Sequence, residues 1–175
     1  MVQTLRQAEA TFAASLIVVQ KGNLEAAILY AVEIRDAAIV GNQPGQYYQS
    51  VIDGFSGHIR NAQIAADTCI VQADVEAAAE EMTNRTNEFK AACHLDEVPM
   101  LDVLNDAIAQ AKKVSAAAVT GINKGEYTAE SKAAYDTVIA AAETAAATPG
   151  TDEQLGAALT ELVNARKAFE ASMLT

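Results

Sequence analysis

Acid–base, redox and metal chemistry need histidines, cysteines or carboxylates held within a few ångströms of one another, and this chain has two histidines and two cysteines. Neither His58 nor His94 has a Glu three residues before it, so neither completes the Glu-x-x-His pattern of a di-iron helix bundle. Cys93 and His94 are neighbours, which aims their side chains in different directions at a helix end, and no CxxC accompanies them. Both histidines read as solvated or hydrogen-bonded groups. Cys69 and Cys93 are separated by about 24 residues of expected helix, roughly 36 Å at 1.5 Å per residue, so no disulfide is expected between them. Two half-buried thiols suit a reducing compartment or a virion.

Carboxylates are more plentiful. Asp74, Glu76, Glu80, Glu81 and Glu88 crowd one segment, but a run of this kind is ordinarily a solvated helix face, and general acid–base work would need a cleft to raise one pKa. There is no phosphate-binding glycine loop and no zincin motif, and a serine nucleophile cannot be matched with a histidine when both histidines lie within residues 23–95, the first of two repeated units. We therefore expect no catalytic residue, no metal ligand and no cofactor. Tyr47, its neighbour Tyr48, and Tyr127 remain the most pointed side chains. They could form a sugar- or protein-binding surface, or pack their rings over the end of a bundle with the hydroxyl reaching backbone.

What positions these residues is a repeated unit. Gly41, Gly45, Tyr47, Ile59, Glu81 and Phe89 recur as Gly121, Gly125, Tyr127, Ile139, Glu161 and Phe169, always eighty residues on and with no gap. A fixed period of this length is the mark of a duplicated structural unit. Each copy reads as three amphipathic helices. In the second copy the helices are parted by Gly121-Ile122-Asn123-Lys124-Gly125-Glu126-Tyr127-Thr128 and by Thr148-Pro149-Gly150-Thr151, both rich in residues that end one helix and start another. The expected architecture is all-α: two tandem three-helix bundles related by an 80-residue internal repeat, plus an N-terminal helix. The divisions fall at 1–22, 23–95 and 96–175.

Taken in order, residues 3 to 20 carry an apolar stripe of Leu5, Ala8, Phe12, Leu16 and Val19 at helical spacing. Leu24, Ala27, Ile28, Ala31, Ile34 and Ala38 mark the inner face of the next helix, which Asn42-Gln43-Pro44-Gly45 should end. A helix from Tyr47 to Asp67 should bury Val51, Phe55, Ile59, Ala62 and Ala66. Gly54 and Gly57 lie within it and mark either a bend or a close approach by another helix. The third helix carries Val75, Ala78, Met82, Phe89 and Cys93. Its start is poorly marked, and a turn at Thr68-Cys69-Ile70-Val71 is inferred from the repeat. Pro99 and the acidic residues before it suit the opening of a helix that buries Leu101, Leu104, Ile108, Ala111 and Val114. Thr128 is a candidate N-cap for a helix burying Tyr135, Val138, Ile139 and Ala142. Thr151 with Gln154 is a capping box for a last helix with Leu155, Ala158, Leu159, Leu162, Phe169 and Met173 inward.

The balance of 12 basic and 23 acidic side chains gives a formal charge of −11, a field that repels nucleic acid and anionic lipid. Lys112-Lys113 and Arg166-Lys167 are the only adjacent basic pairs and read as complements to helix ends or nearby carboxylates. Alanine-rich composition, with 51% hydrophobic but only 5% aromatic residues, suits helices packed through small side chains. Leu16-Ile17-Val18-Val19 is too short and too interrupted for a signal peptide, and no transmembrane span is expected. The location expected is virion or cytoplasm if the start is native, and cell surface if a signal has been removed.

The second copy, from Leu104 through Gly125-Glu126-Tyr127-Thr128-Ala129-Glu130-Ser131, Thr148-Pro149-Gly150-Thr151 and Leu159-Thr160-Glu161-Leu162 to Phe169, resembles the FIVAR module, with residues 104–173 carrying the likeness best. The resemblance implies a small three-helix bundle of a kind found in tandem in bacterial surface proteins and polysaccharide-acting enzymes. It carries no catalytic residues. The function expected is a non-enzymatic structural or interaction protein, a helical spacer or assembly component of a phage virion or surface appendage. The alternative is a carbohydrate- or protein-binding module of a polysaccharide-acting surface system. Partners are expected to be proteins, through self-association or a larger assembly, with carbohydrate open. The side chains expected to touch them are Leu5, Phe12, Leu16, Val19, Tyr47 and Tyr127.

Overall fold

The computed structural model describes residues 19–175, of which 71% are helical, in six helices with no strand. These are α1 (Gly22–Asp36), α2 (Gln49–Thr68), α3 (Gln72–Ala91), α4 (Met100–Ala117), α5 (Ala129–Ala147) and α6 (Asp152–Ala171). The helices α1, α2 and α3 close around Leu24, Ala31, Phe55, Ile59, Ala62, Val75, Met82 and Phe89. A second core, built by α4, α5 and α6, holds Leu104, Ile108, Ala111, Tyr135, Ile139, Ala142, Leu155, Leu159, Leu162 and Phe169. Burying each large apolar side chain contributes roughly 1.5–3 kcal/mol, and the pattern is all-α bundle packing.

In the turn after the first helix of each bundle and at each bundle's exit, the backbone bonds match at the eighty-residue spacing. After α1 the chain turns so that Tyr47 N donates to Ile39 O at 2.9 Å and Gly41 N to Tyr47 O at 3.2 Å; after α4, Tyr127 N donates to Val119 O at 2.9 Å and Gly121 N to Tyr127 O at 2.9 Å. Gly45 and Gly125 hold φ of 83° and 85° in these turns, the left-handed region that a side chain disfavours. The exit of each bundle then latches onto its own turn. Gly45 N donates to His94 O at 2.8 Å and His94 N to Gln46 O at 2.8 Å, matched by Gly125 N to Leu174 O at 2.7 Å and Leu174 N to Glu126 O at 2.9 Å.

Helix ends follow local chemistry. The Thr128 hydroxyl accepts from Ser131 N at 3.1 Å, and Thr151 and Gln154 form both bonds of the capping box, which satisfies amide groups left free at a helix start. Several expectations need correction. α1 stops at Asp36, ahead of the Asn42–Gly45 turn, because residues 39–41 are drawn into the bonds with Tyr47. α1 opens at Gly22, so the expected 1–22 division ends inside a helix. Met173 lies past α6 and is exposed, since the latch at Leu174 turns the chain there. A Cβ at Gly54 or Gly57 would meet nothing within 4 Å, so no neighbouring helix approaches closely at either. His94 is buried, with its ring edge-on to Tyr48 at 4.6 Å and its Nε2 without a partner among the described residues. The turn inferred at Thr68–Val71 is a clean break over Cys69 to Val71, with Thr68 still the last residue of α2.

Candidate functional site

The two bundles meet where α2 packs on α4, with α6 joined to α2 through side chains, and a groove of about 860 Å³ opens between them. Its walls mix apolar side chains such as Ile52 and Val163 with a concentration of cations, Arg35, Arg60, Arg166 and Lys167, that is unusual in so acidic a chain.

At the floor of the groove α2 and α6 are joined by one bidentate pair. Arg166 donates from both terminal nitrogens to the Asp53 carboxylate at 2.7 Å each, while its Nε donates to Glu170 Oε1 at 2.8 Å. Gln49 Nε2 steadies Asp53 at 3.0 Å. Burial works against the Arg166 charge, but the bonds to Asp53 and Glu170 outweigh it and its pKa is raised. A half-buried fork of this geometry fixes the two bundles in one orientation more than an exposed pair could. Arg35 is occupied by Asp36 at 2.7 Å. Arg60 and Lys167 make no ion pair among the described residues, so they are the cations free to meet a ligand. The carboxylates Asp36, Asp53 and Glu170 already accept from arginines. Among the described residues the groove thus offers apolar walls and two cations without an ion-pair partner.

Tyr47 and Tyr127 each belong to a three-ring stack, while Tyr48 meets the His94 ring edge-on. Tyr47 lies on Phe89 at 4.6 Å and 2°, with Phe55 on the same Phe89 at 4.2 Å and 9°. In the second bundle Tyr127 lies on Phe169 at 4.2 Å and 17°, and Tyr135 on Phe169 at 4.7 Å and 11°. Tyr47 and Tyr127 are half-buried caps on these stacks, and neither lines the groove. Burial pushes the Tyr47 hydroxyl pKa up, with a further push from Cys93. Of the other expected contacts, Val19 packs against the first core; Leu5, Phe12 and Leu16 lie outside the described residues.

One cluster resembles a catalytic dyad. Ser115 Oγ donates to Asp136 Oδ1, and Lys132 Nζ donates to Ser115 Oγ at 2.6 Å and to Asp136 Oδ2 at 2.9 Å. Ser115 is buried and its proton is committed to Asp136, so the cluster serves as a polar tie between α4 and α5. The bonds from Ser115 and Lys132 hold the Asp136 carboxyl below the usual range. The acidic residues Asp74, Glu76, Glu80, Glu81 and Glu88 are all exposed. Lys112 is answered by Glu143 at 2.8 Å, and no group of three His, Cys, Asp or Glu side chains among the described residues could hold a metal. None of the described helices is long and apolar enough to cross a membrane.

Sequence reasoning missed the groove because Asp53 and Arg166 lie off the apolar stripes and 113 residues apart. One signal was available: eighty residues from them stand Ala133 and Thr86, so the pair marks where the copies differ in charge.

No family model matches the chain, and no solved structure matches it. A gellan lyase from a Bacillus species is 30% identical over 166 residues, which is 93% of this chain and 7% of the lyase. The chain thus spans a small fraction of the curated relative it matches.

Proposed function

We propose that this chain is a non-catalytic interaction and spacer module of a polysaccharide-acting protein, with the inter-bundle groove as its carbohydrate contact. The observation that carries this reading is the match of nearly the whole chain to a 7% portion of a gellan lyase. The FIVAR likeness supports the same setting. The groove contributes a surface of suitable make-up, since Arg60 and Lys167 can face carboxylate or hydroxyl groups while Ile52 and Val163 meet the faces of sugar rings. Assembly into a virion or surface appendage keeps the same non-catalytic role in another setting, and capsid and tail genes beside this one would favour it.

Affinity electrophoresis through gels containing gellan or neutral polysaccharides tests the proposal. The wild-type chain should be retarded, the Arg60→Ala/Lys167→Ala double variant retarded several-fold less, and no new reducing ends should appear. Retardation by no polysaccharide would remove the carbohydrate contact, and release of reducing ends would overturn the non-catalytic reading.

A further inference from the structure

Within the chain, the second bundle seats itself on one end of the first. Val98 N donates to Asn42 O at 2.9 Å, the Asn42 and Gln43 side chains donate to Glu97 at 3.2 and 3.0 Å, and Ser50 N donates to the Asp106 carboxylate at 2.8 Å. The receiving surface is the turn after α1 together with the opening half of α2. Eighty residues on, the same surface recurs as the turn after α4 and the opening half of α5, and among the described residues nothing covers it.

The residue types there have changed in a telling way. Asn42 is 6% exposed beneath the linker, whereas Ile122 in the equivalent position is 93% exposed, with Val119 exposed beside it. Ile122 and Val119 together form an exposed apolar patch on this turn, and such a patch marks an interaction surface where a lone exposed side chain does not. The opposite side of the junction has a counterpart that is exposed among the described residues. Asp106 and Val114 both face the first bundle, so Gln110 shares that face of α4 at helical spacing. Eighty residues earlier these positions are Ala26, Tyr30 and Ile34 on α1, where Tyr30 is about half exposed and Leu29 next to it more so.

We propose that the exposed Val119–Ile122 turn of the second bundle docks the first bundle of a second copy of this chain, in the register that already joins the two bundles. The argument is continuity with the internal junction: one end offers Ile122 and Val119, the other offers Ala26 and Tyr30, and the junction shows how two such surfaces fit. The polar anchors of the internal contact are absent from the external one. Asp53 and Arg166 correspond to Ala133 and Thr86, and Asn42 corresponds to Ile122. The contact is therefore apolar, weaker than the covalently tethered junction and dependent on concentration. It is also heterologous, so it propagates into short head-to-tail strings and not a closed dimer. Added salt screens the repulsion between chains of charge −11 and should strengthen association.

Sedimentation velocity from micromolar to millimolar concentration tests it. The weight-average mass should climb with concentration and with salt, and Ile122→Asp should hold the chain monomeric with an unchanged circular dichroism spectrum; Val119→Asp serves as a second variant. Direction is read by cross-linking in a Cys69→Ser/Cys93→Ser background. A Glu130→Cys chain mixed with an Ala26→Cys chain should give a mixed disulfide that neither gives alone, because Ser50 and Asp106 are bonded at the corresponding positions. A wild type that stays monomeric throughout, an Ile122→Asp chain that associates unchanged, or a Glu130→Cys chain that pairs chiefly with itself would each overturn the proposal.

Discussion

Replacing Tyr135 by Phe deletes one oxygen from the centre of the second core. Tyr135 is 2% exposed, and its hydroxyl has no hydrogen-bond partner among the described residues. A buried hydroxyl left unpaired costs about 1–3 kcal/mol, so Tyr135→Phe should stabilise the protein by that order. This raises Tm by about 2–4 °C per kcal/mol for a chain of this size. The first bundle supplies the control, because the equivalent ring is Phe55, stacked on Phe89 as Tyr135 is on Phe169. The alkaline limb gives an independent readout. Burial, offset in part by Arg166, pushes the Tyr135 pKa up to about 12. The folded state then holds a proton that the unfolded chain gives up near pH 10. Stability is full below that pH and falls as pH rises toward 12, by at most about 2.7 kcal/mol for two pH units. Urea titrations of wild type and Tyr135→Phe between pH 8 and pH 12 should diverge in this window, with the variant flatter. If Tyr135→Phe destabilises by more than about 1 kcal/mol at pH 7, the hydroxyl has a partner and the reasoning fails.

Phe89→Ala and Phe169→Ala should each cost about 3–5 kcal/mol by chemical denaturation, and by similar amounts, since each ring is the middle of a three-ring stack. Gly54→Ala and Gly57→Ala should each stabilise by about 0.5–1 kcal/mol, because the new methyl meets open space; Gly125→Ala, placed at φ 85°, should lower Tm. Asp136 is held below its ordinary range in the folded state. Its contribution is therefore present above the normal carboxylate pKa and lost as pH falls through the folded value, so Asp136→Asn should lessen the acid-side decline in Tm.

The helices were legible because each core stripe recurs at helical spacing: Leu155, Leu159 and Leu162 point inward from any helix that contains them. The turns were legible through Gly45 and Gly125, whose backbone few other residues tolerate, and the capping box through Thr151 and Gln154. Helix ends were less so, because the early stop of α1 is decided by bonds from Tyr47 that no local pattern announces. Val103, Thr86 and Ser115 are buried off the expected stripes, Thr86 by returning its hydroxyl to Met82 O at 2.8 Å and Ser115 by its tie to Lys132 and Asp136. The groove was illegible for a related reason. It exists only once two bundles are set side by side, and the Asp53–Arg166 pair that sets them there obeys no periodicity within either helix.

The latch that ends each bundle also decides how the chain takes tension. A pull applied between the bundles first meets the bonds of Glu97 and Val98 to Asn42 and Gln43, and then, at His94, those to Gly45 and Gln46. The stacked rings of Tyr47, Phe89 and Phe55 stand behind that latch, so the aromatic core is shielded until the latch has slipped. An equivalent fastening to Gly125 and Glu126 receives a pull on the far end at Leu174. Stretched from both sides, the protein behaves as two separately buckled links in series, each able to give a little chain length before its helices part.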